Sequence, residues 1–254
     1  MFFRKTLQKE SGRYLAAMAF LLITWHLAVT LFPIPKYLVP TPVAVGKVFI
    51  SEYPNLLMGA KYTATNMIIG GTIGICLGII VAAVLCFSVK LRWLFEPLLT
   101  AFQSFPRESL LPLLVVWLGL GTAPKIVNAA LLSFFPAALV TLHALLGTRQ
   151  DYLALVRNWG MSDWQTLAMC RLPAAVPAIL SVIRLSYPYA LIGSVLGEFF
   201  GGNTGLGYII ISSGSTFRVD RIFAAVILLA LIGSTMVIVV NVIQQTICKR
   251  FYLE

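Results

Sequence analysis

The sequence predicts an all-α integral membrane protein, and three observations carry that reading. Apolar residues make up 59% of the 254 positions and charged ones only 11%, where a soluble domain carries about a quarter charged residues. Six stretches have the roughly 20 apolar residues that a helix needs to cross a bilayer core. The net charge of +10 comes from 19 Lys and Arg, and these gather at the ends of the apolar stretches. That placement makes them topology signals and lipid-headgroup contacts and argues against a nucleic-acid partner. The apolar stretches run the length of the chain, so residues 1–254 read as a single transmembrane domain.

Four stretches hold no Asp, Glu, Lys or Arg: 14–35, 62–89, 126–148 and 222–248. The first lacks a small-residue cleavage site and reads as a retained helix. Two more are interrupted. Residues 97–120 are apolar except for Arg107 and Glu108, and 172–199 except for Arg184 and Glu198. With both termini cytoplasmic, 11 basic residues fall inside and 6 outside, the orientation favoured by the positive-inside rule.

The outer segment, 33–61, begins "PIPKYLVPTP". Thr41 can cap a short surface helix over 43–52, with Pro42 at its first position. In the second span, "GGTIGICLG" sets Gly70, Gly74 and Gly78 four residues apart. They share one helix face and let another backbone approach closely. Cys76, Cys86, Cys170 and Cys248 form no CxxC pair. Cys76 and Cys86 lie about 15 Å apart along a helix, too far to bridge, so all four read as free thiols without a metal role.

Residues 149–173 form a polar cytoplasmic hairpin. A short helix over 151–158 ends at Gly160, which can adopt the positive φ of a helix stop. Ser162 and Gln165 then fit a capping box. Trp164, Leu167 and Ala168 are expected on one face, and Leu172-Pro173 ends the element. Such a knob can rest on lipid headgroups or dock in a groove on a soluble partner.

The spacing from Gly160 to Leu172-Pro173 resembles the EAA signature of binding-protein-dependent ABC importer permeases. Cys170 stands at that signature's Ile, and Ala154-Leu155-Val156 stands at its E-A-A triplet, so the glutamate is absent. "LVPTPVAV", "LLPLLVVWLGLGTAPKI", "GEFFGGNTGLGYII" and "DRIFAAVIL" are similar to the nitrate/sulfonate/taurine/bicarbonate branch of that family. The resemblance implies a type I importer (MetI-like) permease fold in the bacterial inner membrane. It implies a homodimer, two ATPase subunits that bind ATP and Mg, and a periplasmic or lipid-anchored substrate-binding protein. It makes the hairpin the coupling element, with Ala154, Gly160, Ser162, Asp163, Trp164, Leu167, Leu172 and Pro173 as its docking residues. The branch suggests a small anion as substrate, with thiamine precursors or riboflavin-like compounds as the alternative.

Ionisable groups inside a membrane are costly and mark functional sites. In "QSFPRESLLP", Pro106 and Pro112 frame Arg107 and Glu108. A broken helix is expected there, with Gln103, Ser104 and Ser109 adding polar capacity. Arg107 would attract an anion along a translocation path, or pair with Glu108 or another helix for structure alone. The fifth span adds Arg184, Tyr187, Tyr189 and Glu198, with Pro188 as a kink. His26 and His143 stand alone within spans and read as packed residues. Gly201, Gly202, Gly205 and Gly207 follow a membrane helix and form no nucleotide fingerprint. The chain has no phosphate-loop motif, no H-E-x-x-H and no G-x-S-x-G. It therefore reads as a non-enzyme that binds no cofactor itself. A stand-alone secondary transporter or channel is the other reading; it has only Glu108 and Glu198 as coupling carboxylates and shows no evident inverted repeat.

Overall fold

The computed structural model describes residues 17, 19–32, 35 and 37–252, and every described element is helical. The chain divides into two compact units, 1–57 with 209–227, and 58–208 with 228–254.

In chain order the helices are α1 (Ala19–Leu31), α2 (Pro42–Ser51), α3 (Tyr53–Phe87), α4 (Val89–Ser104), α5 (Leu111–Leu118), α6 (Ala123–Leu146), α7 (Gln150–Asn158), α8 (Asp163–Thr166), α9 (Leu172–Phe200), α10 (Leu206–Ser215) and α11 (Val219–Tyr252). Four of the described helical stretches are long and apolar enough to cross a membrane: Tyr53–Phe87, Ala123–Leu146, Asp163–Phe200 and Val219–Thr246. Of the expected first span, 14–35, residues 19–31 form α1, and residues 14–16, 18, 33 and 34 lie outside the described residues. The expected third span, 97–120, is not one helix. Phe105 is extended (ψ 138°), as a residue before proline must be, and Pro106 offers no N–H. A 3₁₀ turn, Arg107–Leu110, follows; α5 then starts with a proline in its first turn and ends at Gly119 (φ 76°).

The smaller unit carries the outer-segment helix. Thr41 caps α2 by accepting from the Ala44 amide at 3.2 Å, as its sequence predicts. The last part of the expected outer segment, from Tyr53 to residue 61, belongs to the long helix α3. Beside the end of α2, Glu52 pairs with Arg218 at 2.5 Å and Arg221 at 2.8 Å. Glu52 drives the Arg218 pKa further up by hydrogen bonding, so that guanidinium keeps its charge. Trp25 stacks on Phe223 with 5.5 Å between ring centres.

The larger unit is organised around α6. Gly70, Gly74 and Gly78 face it, and an added Cβ would meet the Ile126, Ala130 and Phe134 carbonyls in turn. Small residues thus bring α3 and α6 into backbone contact. Asn128 on α6 donates to the Gly193 carbonyl of α9 at 2.7 Å. Leu85, Leu99, Phe135, Leu139, Leu142, Leu145 and Leu167 fill the core at one end of this unit. Outward faces stay apolar, with Ile73, Leu77, Ile80 and Val84 of α3 exposed, as a lipid-facing surface requires. Cys76, Cys86 and Cys170 are free thiols; the side chain of Cys248 lies outside the described residues.

Candidate coupling hairpin and polar path

The hairpin is built by local chemistry. α7 ends at Gly160 (φ 73°), and the Met161 amide reaches back to the Val156 carbonyl at 3.2 Å. That backward bond across a left-handed glycine is a Schellman stop. No atom lies within 4 Å of a Cβ placed on Gly160, so the glycine serves backbone conformation and not close packing. Ser162 then accepts from the Gln165 amide at 3.3 Å, while the Gln165 side chain accepts from the Ser162 amide at 2.9 Å. The capping box read from sequence is therefore complete.

After α8 the backbone opens into a π turn, Leu167–Arg171, before α9. Leu167 is buried in the core, whereas Ala168 is exposed and Trp164 is 66% exposed, so the three do not present one common surface. Trp164 instead stacks on Phe87, with 5.6 Å between ring centres. Trp159 is exposed as well, as are Asp163 and Ala154, the residue in place of the signature glutamate. Leu172 is half-buried and Pro173 exposed at the start of α9.

The break at Pro106 places Arg107 against α6, its guanidinium 5.4 Å from the centre of the Phe135 ring. Arg107 Nε and Nη1 are buried and hydrogen-bond to nothing among the described residues. Glu108, one of the two partners weighed for it, makes no ion pair with it. Glu108 and Ser109 are exposed on the same turn, as is Gln103 at the end of α4; the side chain of Ser104 lies outside the described residues. On α9, Arg184 is exposed and has no ion pair among the described residues, and Tyr189 is exposed. Tyr187 joins Thr72 of α3 at 3.0 Å. α9 runs unbroken from Leu172 to Phe200 through Pro177 and Pro188.

Glu198 departs from the polar lining expected for it. It is 1% exposed, enclosed by its own chain. Its Oε2 accepts from Thr63 Oγ1 at 2.9 Å and from the Gly207 amide at 2.8 Å. Thr63 Oγ1 also accepts from the Leu206 amide at 2.9 Å. Nearby, the buried Lys125 ammonium donates to the Thr204 carbonyl and hydroxyl at 3.0 and 2.9 Å. A Cβ on Gly205 would overlap the Glu198 carboxylate, so the glycine run allows the loop to close over it. Sequence reasoning missed Thr63, Thr204 and the inward turn of Lys125. The signal that could have found them is the loop's glycines set beside one acid and one base. His143 is not alone either: it hydrogen-bonds Glu96 at 3.1 Å.

The family of binding-protein-dependent transport system inner membrane components matches residues 74–251. A probable ABC transporter permease protein of Haemophilus influenzae is 35% identical, over 84% of this chain and 87% of its own length. A formylaminopyrimidine transport permease protein of Halalkalibacterium halodurans is 29% identical, over 84% of this chain and 85% of that protein. A taurine transport system permease protein of Escherichia coli is 25% identical, over 95% and 90%. Among solved structures, a chain of the inward-facing MetNI methionine ABC transporter superposes with a TM-score of 0.69 at 20% identity, covering 77% of this chain and 97% of that one.

Proposed function

Because the chain belongs to the binding-protein-dependent transport system inner membrane components, and so is an ABC importer permease subunit, we propose the following working cycle for it. Two copies pair in the bacterial inner membrane, each crossing six times with both termini in the cytoplasm. A substrate-binding protein delivers solute to the outer side. A separate ATPase subunit grips the hairpin of residues 149–173 on each copy. ATP binding closes the ATPase dimer and swings the hairpins, which opens the path outward; hydrolysis resets it inward.

The observation that carries this reading is the hairpin. It is stopped by Gly160, restarted by a complete capping box, and displays Trp159 and Trp164 next to the base of a long apolar helix. A rigid knob of this kind transmits force, which a frayed loop cannot. The missing signature glutamate leaves docking to shape and to the exposed indoles.

The proposed substrate is a small anion. Its support is Arg107, whose two buried N–H groups lack acceptors. A buried donor without a partner costs about 1–3 kcal/mol, and a passing carboxylate or sulfonate removes that cost. Ser109 on the same turn, Gln103 at the end of α4, and Arg184, Tyr187 and Tyr189 on α9 would extend the polar lining.

Coexpression with an ATPase subunit and a binding protein from the same source tests the reading. The three should purify as one complex whose ATP hydrolysis rises when the binding protein is loaded. A permease that associates with no ATPase would sink it. Calorimetry on that binding protein with taurine, an alkyl sulfonate and a formylaminopyrimidine then identifies the solute class; tightest binding of the uncharged pyrimidine would refute the anion assignment.

A further inference from the structure

Within the larger unit, a cavity of about 420 Å³ lies between the hairpin and the turn joining α3 to α4. Its wall includes Arg92, Arg171, Asp163, Cys86 and Leu153. Both arginines are half-buried. Arg171 Nη1 donates to the Cys86 sulfur at 3.0 Å and to the Leu145 carbonyl at 3.3 Å, neither an anion. Arg92 makes no side-chain hydrogen bond or ion pair among the described residues. Asp163 lines the same cavity yet lies beyond ion-pair distance of either. The lining thus keeps a net positive charge, with two arginines bordering one space and neither matched to a carboxylate.

Next to Arg92 on α4, Trp93 is 81% exposed, and Leu94, Phe95 and Leu98 are exposed as well. Tryptophans gather at the level of the lipid headgroups, and exposed apolar side chains beside them suit acyl chains. Basic pockets between membrane helices on the cytoplasmic side hold phosphate headgroups, and guanidinium forks match phosphate oxygens.

We propose that this cavity binds the headgroup phosphate of an anionic phospholipid between Arg92 and Arg171, wedged against the hairpin's inner side. The lipid fills the gap between the α3–α4 turn and α8, and so stiffens the seat of the coupling element. The site depends on the chain being embedded in a membrane, and not on the identity of any transported solute.

Native mass spectrometry on the purified full chain tests it, using nanodiscs of phosphatidylglycerol or of phosphatidylcholine. The wild type should retain phosphatidylglycerol and release phosphatidylcholine. Arg92→Gln should weaken phosphatidylglycerol retention about fivefold, as expected for one surface arginine worth about 1 kcal/mol, and Arg92→Lys should keep most of it. Arg92→Gln with Arg171→Gln should abolish the preference. Equal retention of the two lipids by the wild type, or unchanged retention in Arg92→Gln, would overturn the proposal. So would full displacement by millimolar inorganic phosphate, which would make the site one for a free anion. Loss of the lipid when the ATPase binds would overturn it too, because the arginines would then belong to a protein contact.

Discussion

Replacing Thr63 by Val tests whether the buried Glu198 knot holds the end of α9 in place. Valine keeps the shape of threonine and removes only the hydroxyl. Thr63 is fully buried, so neither water nor lipid can compensate. The hydroxyl gives one hydrogen, shared between the Glu198 carboxyl at 2.9 Å and the Gly59 carbonyl at 3.1 Å. It also accepts from the Leu206 amide at 2.9 Å. The variant therefore strands one buried amide and takes one donor from a carboxyl. At about 1–3 kcal/mol for an unsatisfied buried donor, and roughly 1.5–3 for a bond to a charged acceptor, the loss is about 3–5 kcal/mol. For a chain of this length each 1 kcal/mol moves the midpoint by about 2–4 °C, so the melting midpoint should fall by roughly 6–20 °C. Intrinsic tryptophan fluorescence of the detergent-purified protein, heated at one fixed rate, reads that shift. Glu198→Gln and the double variant complete a cycle, and the two effects should be less than additive because they break the same bond. A Thr63→Val midpoint within 2 °C of wild type, or strictly additive effects, would refute the knot.

Gly160→Ala should cost about 1–2 kcal/mol, since φ 73° is strained for any side chain and the space beside it is empty; thermal unfolding measures it. Gly160→Asp and Trp164→Asp should reduce uptake at least tenfold while membrane insertion, judged by size-exclusion of a fluorescent fusion, stays normal. Gly74→Leu should abolish the monodisperse peak in the same assay, because even its Cβ overlaps the Ala130 carbonyl and the Ser133 hydroxyl; Gly46→Ala, in a helix with open space around it, should stabilise by about 0.5–1 kcal/mol. Arg107→Gln should lower uptake of an anionic solute about tenfold or more, with Arg107→Lys intermediate, while basal ATP hydrolysis of the assembled complex is unchanged.

What the sequence disclosed was whatever depends on neighbours along the chain. The Ser162–Gln165 box, the left-handed Gly160, the Thr41 cap and the Pro106 break all follow from groups within five residues of each other. The glycine face of α3 was equally legible, because helical spacing alone determines it. Long-range pairing was not. Lys125 looked like a topology signal at a helix end, yet its ammonium turns inward to Thr204, 79 residues away. Glu198 looked like a path residue, yet Thr63 reaches it across 135 positions. The π turn was illegible for another reason: a one-residue widening leaves no compositional mark.

Several charged groups among the described residues are held by partners of their own chain. Glu52 is held by Arg218 and Arg221, Glu198 by Thr63 and the Gly207 amide, and Lys125 by Thr204. Each of these groups has its partners inside its own unit, and removing one strands the other. Arg107 differs, since its only described contact is the Phe135 ring face and its Nε and Nη1 have no acceptor. A guanidinium stacked on an aromatic keeps its orientation without neutralising its charge. A charge at membrane depth is costly, and under the proposed function an anionic solute passing Arg107 supplies the acceptor that its buried N–H groups lack among the described residues.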